Sequence, residues 1–161
     1  MVYSKNAGRK LSFDQVGSGI SCITPILCAF EVSCRNLIIE QPELHLHPKS
    51  QCEIADGFIV AMNNHSIDKA IIETHSENLF LRISRRIRET TYEKHVKEDL
   101  SLEPEDVVIY YFEPLKKGHT EIHKIRFDKD GEFLDKWPDG FFAERQDEYP
   151  DEWWDEKPTK K

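Results

Sequence analysis

Leu37-Ile38-Ile39-Glu40-Gln41-Pro42-Glu43-Leu44-His45-Leu46-His47-Pro48 is the stretch that decides the fold. Three consecutive apolar residues without polar alternation are the pattern of a strand buried on both faces in a parallel sheet, and Pro42 ends it. Such a strand delivers Glu40 and Gln41 at its carboxyl end. Pro48 suits the first turn of a helix, and Ile54, Phe58, Ile59 and Met62 then recur at helical spacing to about Asn64.

The same order repeats on either side. Downstream, Ala70-Ile71-Ile72 is a second apolar run, Glu73-Thr74-His75-Ser76 closes it, and a helix is expected from about Glu77 to Arg88. Upstream, residues 10–16 (KLSFDQV) alternate as a strand does, Gly17-Ser18-Gly19 turns the chain, and an apolar helical run extends from Ile20 to about Ser33. Buried strands alternating with helices predict an α/β fold with a parallel sheet, whose ligand site lies at the carboxyl ends of the strands. Glu40, Gln41 and His75 all fall at such ends.

After about Asp99 the rhythm changes. Residues 107–112 and 120–127 read as two strands joined through a loop at Gly118, and Asp128-Lys129-Asp130-Gly131 reads as a turn. Its acidic spacing resembles the start of a calcium loop but lacks the later ligands, so a hairpin turn is expected. The organisation predicted is an α/β lobe over residues 1–100 and a β-rich extension with an acidic, aromatic tail over residues 101–161.

The net charge of -8 sits in that tail: residues 128–156 hold twelve acidic and three basic side chains. A segment of that sign repels phosphates, which argues against non-specific nucleic-acid binding by the tail. Trp137-Pro138-Asp139-Gly140-Phe141-Phe142 and Trp153-Trp154 make it too aromatic to be simply disordered, so it is expected to dock on the main domain or on a partner. Cys22, Cys28, Cys34 and Cys52 have no C-x-x-C spacing and read as reduced packing residues. No run reaches the roughly 18 apolar residues of a membrane span, and Met1 is followed by polar residues. A cytoplasmic protein without a membrane partner is expected.

A carboxylate at the end of a buried strand is costly unless paired or bound to a cation, and magnesium is held through one or two such groups plus phosphate oxygens. Glu40 is therefore a magnesium candidate, with a carboxylate capping a neighbouring turn as the alternative. Ser18-Gly19 ahead of a helix offers a hydroxyl, free N–H groups and a positive helix end, the elements of an anion site. Taken alone that signal is weak, because glycine turns before helices are common.

Val16-Gly17-Ser18-Gly19-Ile20-Ser21, the Leu37–Pro48 stretch and Ile72-Glu73-Thr74-His75-Ser76, in that order, resemble the second half of a prokaryotic AAA-family ATPase of the ABC type. They are similar to the ATPase domains of the overcoming-lysogenization-defect (OLD) and RecF-like group. The middle segment is the specific one, and the resemblance covers about residues 10–90. The later part, through Val107 to Phe112 and Trp137 to Glu144, resembles a small domain of unknown function that often ends these ATPases.

The resemblance implies a C-terminal lobe of a P-loop NTPase fold, with ATP and magnesium as cofactors. Ser18 and Gly19, with Ser21 beside them, match a signature loop that contacts the γ-phosphate held by an opposite subunit, so a homo- or heterodimer is implied. Glu40 matches the magnesium-associated Walker B carboxylate and His75 the switch histidine. Gln41 stands where the family more often has a catalytic glutamate. An amide cannot act as a general base, although it can orient an attacking water. Glu43 is a substitute base or a partner for His45 or His47. Ile20 and Ser21 depart from the usual glycine and glutamine of the loop.

No G-x-x-x-x-G-K-[S/T] occurs in the sequence, so nothing in it wraps the β- and γ-phosphates. The expectation is an ATPase that is inactive alone, its P-loop supplied by a longer protein or a separate partner, unless the chain is a degenerate remnant. The class suggests antiphage defence or DNA metabolism, with a nuclease effector or DNA as partner. The alternative is a non-catalytic interaction module. A third reading, a metal-dependent hydrolase, draws on His45, His47 and His75. Arg82, Arg85 and Arg86 share a helical face, with Arg88 nearby, and read as a solvated basic surface or a contact for DNA or an acidic segment.

Overall fold

The computed structural model describes residues 2–4, 8–93, 97–116 and 118–138. The expectations for Asp139 to Phe142, for the acidic aromatic tail and for Trp153-Trp154 lie outside the described residues. Two units are distinguished: one comprises residues up to Glu103 together with 129–131, the other Pro104–Asp128 and the chain from Glu132.

In the first unit, β1 (Val2–Ser4) pairs antiparallel with β2 (Arg9–Leu11). The strand expected over residues 10–16 stops at Leu11, because Ser12 and Gln15 offer the backbone a local alternative. Ser12 N donates to Gln15 Oε1 at 3.2 Å and Gln15 N to Ser12 O at 3.0 Å, closing a 3-10 turn over Phe13–Gln15. There follow α1 (Ser18–Glu31), β3 (Cys34–Glu40), α2 (Pro48–Asn63), β4 (Ile67–Glu73) and α3 (Glu77–Tyr92).

β3 and β4 are parallel, in register from Cys34 opposite Ile67 to Glu40 opposite Glu73. Strand alternation turns Leu37, Ile39, Ala70 and Ile72 toward the helices, against Ile26 of α1, Ile54, Ala55 and Phe58 of α2 and Leu79 of α3. Phe30 meets Phe58 edge-to-face at 5.1 Å. Pro48 occupies the first turn of α2 as its fixed φ and missing N–H favour.

The other face of the sheet departs from the expectation of burial on both sides. Ile38 is 71% exposed and its cross-strand neighbour Ile71 64% exposed. Among the described residues this sheet has two strands, and helices cover one face of it. The apolar run is suited to a two-sided strand, and each uncovered isoleucine forgoes about 2 kcal/mol of burial.

In the second unit, β5 (Ile109–Leu115) and β6 (His119–Ile125) form an antiparallel hairpin, with Ile109 opposite Ile125 and Leu115 opposite His119. Its apolar centre contains Ile125 and Phe127, and the Phe127 ring lies 5.0 Å from Phe133, which lies 5.3 Å from Trp137. Asp128 N donates to Glu132 O at 2.8 Å and Glu132 N to Asp128 Oδ1 at 2.9 Å, so this segment is a turn, as its composition suggested. Arg126 donates to Asp135 from Nε and Nη2 at 2.9 and 2.8 Å, and this hydrogen bonding holds the Asp135 carboxyl down at about 2. All four cysteines are free thiols, and no helix among the described residues is long and apolar enough to cross a membrane.

Candidate functional site

The ends of β3 and β4 carry the chemistry. Parallel register places Glu40 directly beside Glu73, both exposed and both on the face shared by Ile38 and Ile71. Two carboxylates side by side repel unless a cation lies between or near them. The donor set is oxygen-only, which suits a hard divalent ion such as magnesium, completed by water or phosphate oxygens. Gln41 N donates to Glu73 O at 2.7 Å, carrying the ladder one residue past the strand, and Gln41 itself has φ 46°. That left-handed conformation costs a residue with a Cβ about 1–2 kcal/mol.

Past Gln41 the chain folds into a tight turn. Leu44 N reaches Gln41 O at 3.1 Å, Leu46 N reaches Glu43 O at 3.0 Å, and His45 is left-handed at φ 60°. Glu43 is half-buried and reaches across to the segment after β4, accepting from Thr74 Oγ1 and from His75 N, each at 2.8 Å. Its carboxylate partners are thus Thr74 and the His75 backbone, not the imidazoles of His45 or His47. His47 caps α2 instead, its Nδ1 accepting from Lys49 N at 3.3 Å.

A hydrogen-bonded network continues inward. Ser76 N donates to Thr74 Oγ1 at 3.0 Å, and Ser76 Oγ, itself the cap of α3, donates to Gln51 Oε1 at 2.7 Å. Asn78 Nδ2 donates to the same oxygen at 3.0 Å, while Gln51 Nε2 donates to Leu46 O at 3.1 Å. Gln51 and Glu43 therefore tie the segments after the two strands together, so Glu40, Gln41, Glu43 and His75 are brought into one assembly. His45, His47 and His75 do not gather as a three-ligand metal cluster among the described residues.

α1 reaches the same turn from its N-terminus. A Cβ on Gly19 would stand 2.6 Å from His45 O, so only glycine lets the first turn of α1 approach so closely. Gly17 is the cap residue and no side chain closes the helix start, leaving backbone N–H groups at Ser18 and Gly19 as donors. Ser21 is committed locally, its hydroxyl donating to Phe13 O at 3.4 Å.

The arginine face of α3 is largely consumed within the unit. Arg86 donates to Asp56 from Nε and Nη2, both at 2.8 Å, and Arg82 Nη1 donates to Asp56 at 2.7 Å. Arg85 and Arg86 also hold Glu89, and Arg88 Nε donates to Asp130 O at 2.9 Å. The bond to Asp56 raises the Arg86 pKa above its ordinary value against the opposing effect of burial. Burial pushes Glu89 up, but the bonds from Arg85 and Arg86 outweigh it and hold that carboxyl below its usual range. Arg82 and Arg86 therefore belong to an ion-pair network joining α3 to α2, while Arg85 and Arg88 stay exposed to solvent as the sequence suggested.

Glu73, Thr74 and Gln51 are the site residues that sequence reasoning passed over. Glu73 had a signal, since it ends the second apolar run as Glu40 ends the first. Thr74 and Gln51 had none, because their partners are set by folding.

Residues 3–80 match the family model described as AAA ATPase domain, and residues 102–156 match one described as a protein of unknown function (DUF3696). Ser18, Gly19, Ser21, Glu40, Gln41, Glu43 and His75 all lie inside the first match. No curated protein and no solved structure matches the chain.

Proposed function

On the premise that residues 3–80 are AAA ATPase domain sequence, we propose that this chain contributes one side of a composite ATP site whose P-loop comes from another lobe or chain. The observation that carries the reading is the gathering of Glu40, Glu73, Gln41, Glu43 and the His75 backbone at the carboxyl ends of two parallel strands. Ligands of α/β sheets bind at such ends.

Each group then has a role. Glu40, with Glu73 beside it, holds the magnesium of a Mg-ATP complex, directly or through water; the ion supplies charge neutralisation at the phosphates. The uncapped start of α1 at Ser18 and Gly19 offers N–H donors to a γ-phosphate presented by a dimer partner. His75 reads the presence of that phosphate, at a position fixed by the bond from its backbone to Glu43. Gln41 orients the attacking water without taking its proton, which makes turnover slow and the site switch-like. Glu43 acts as a strap between the two segments, its oxygens already engaged by two donors. These are the Walker B, signature-loop and switch-histidine roles of an ABC-type ATPase, in an assembly of the bacterial defence or DNA-metabolism kind with a nuclease or DNA as its target.

The uncovered pair Ile38 and Ile71 supports the missing-lobe part of the reading, because a P-loop-bearing lobe laid on that face would bury both. A non-catalytic docking module is the second reading, and Gln41 in place of a general base favours it.

The test is thermal unfolding with and without Mg-ATP, alone and after adding a P-loop-bearing protein encoded next to it. A midpoint rise only with the added lobe is the expected result. With that lobe present, Gln41→Glu should speed ATP turnover and Glu40→Gln should abolish magnesium-dependent turnover. No nucleotide effect in any pairing would leave the docking module as the function.

A further inference from the structure

We propose that the β5–β6 hairpin of the second unit holds a zinc-class divalent cation through Glu113, Glu121 and His123. The site lies outside the AAA ATPase match and stands independently of the ATP-site reading.

Antiparallel register sets Glu113 directly opposite Glu121, and Tyr111 opposite His123, on one face of the hairpin. Two carboxylates facing each other across a strand pair destabilise it unless a positive charge joins them. His123 Nε2 lies 2.8 Å from Glu113 Oε2, and one ligand atom from each of the three residues lies within 4.8 Å of the others. Ligands of tetrahedral zinc at about 2.0–2.1 Å from the metal are spaced roughly 3.3 Å apart. His123 and Glu113 need open by only about half an ångström, and Glu121 swing in by a rotamer change, to reach that spacing.

The donor types narrow the ion. One imidazole with two carboxylates suits zinc, manganese or iron(II) rather than calcium or magnesium, which take oxygen ligands. Along β6, His119, Glu121 and His123 lie on one side as His-x-Glu-x-His, and of these Glu121 and His123 gather with Glu113. Glu113 and His123 are 29% and 28% exposed, sheltered enough to strengthen coordination yet open to an entering ion. The Tyr111 ring, 6.4 Å from His123 and 5.6 Å from Trp137, walls one side of the imidazole. A bound ion would staple the two strands of a small unit whose described residues include few buried apolar side chains.

The experiment titrates the full chain, stripped with chelator, with Zn2+ by calorimetry and with Co2+ by visible absorption. The expected result is one ion per chain, a cobalt spectrum of nitrogen and oxygen ligands without thiolate charge transfer, and a raised unfolding midpoint. His123→Gln keeps a hydrogen-bond donor toward Glu113 and Glu121→Gln alters an exposed side chain, so both should fold with unchanged circular dichroism. Each should weaken Zn2+ binding at least tenfold, while His47→Gln leaves it unchanged. Absence of binding, a thiolate spectrum, or loss with His47→Gln but not with His123→Gln would overturn the proposal and leave His123 and Glu113 as a hydrogen-bonded pair only.

Discussion

Glu43 is the residue on which strap and base make different demands. Its two oxygens accept from Thr74 Oγ1 and His75 N at 2.8 Å each. A hydrogen bond to a charged acceptor contributes about 1.5–3 kcal/mol net, and half-exposure of the carboxylate puts this pair at the low end, near 3 kcal/mol together. Glu43→Ala removes both and should lower the free energy of urea unfolding by about 2–3 kcal/mol. Glu43→Gln keeps one acceptor oxygen but turns an NH2 toward the second donor, so about half that loss is expected. The local readout is amide exchange at His75, whose N–H loses its acceptor in the alanine variant and should exchange at least tenfold faster. A base without a strapping role predicts the opposite: Glu43→Ala within about 0.5 kcal/mol of the parent, with unchanged exchange at His75. That result would refute the assignment.

Asp56→Ala leaves Arg82 and Arg86, 19% and 13% exposed, without their shared partner, and should destabilise the first unit by about 3 kcal/mol in the same urea assay, with part of the loss recovered by adding Arg86→Met. Gly19→Ala drives a Cβ into the His45 carbonyl and should cost about 1–3 kcal/mol, visible as a shifted His45 signal by NMR as well as a lower midpoint. Asp135 has its folded pKa drawn below the ordinary 3.8 to about 2 by Arg126, so its contribution is fully present above about pH 4 and is lost as pH falls toward 2. Near-ultraviolet circular dichroism of the Phe127, Phe133 and Trp137 cluster should follow that loss, and Asp135→Asn should remove this part of the pH dependence. Gln41→Gly relieves a left-handed strain of about 1–2 kcal/mol against an entropic cost of about 0.5–1 kcal/mol, so its unfolding midpoint should match or exceed the parent's.

The α/β alternation was legible because it depends on local signals: apolar runs ended by Pro42 and by Glu73, a proline at the start of α2, and helical spacing behind it. The apolar runs marked only part of these two strands, since β3 and β4 each extend over seven residues and take in polar residues that only the ladder recruits. What stayed hidden is pairing at a distance. Glu43 finds Thr74 and His75, and Asp56 finds Arg82 and Arg86, across separations that no window of sequence connects. The arginines looked like a free face because i, i+3, i+4 spacing reports which side chains share a side of the helix and not what lies opposite. The conformation of Gln41 was equally hidden, since glycine advertises positive φ and glutamine does not.

The same turn holds the site's polar groups firmly in place. Strain at Gln41 and His45 persists only where surroundings over-determine it, and here the surroundings are the Glu43 strap, the Gln51 bridge and the close approach of Gly19. Those devices fix the backbone around two exposed carboxylates, Glu40 and Glu73, whose mutual repulsion they do nothing to relieve. Two carboxylates side by side, next to two uncovered isoleucines, are groups that a cation and an apolar surface would stabilise. A magnesium-bound nucleotide carried on another lobe would bring both at once, which is the physical ground of the proposed composite ATP site.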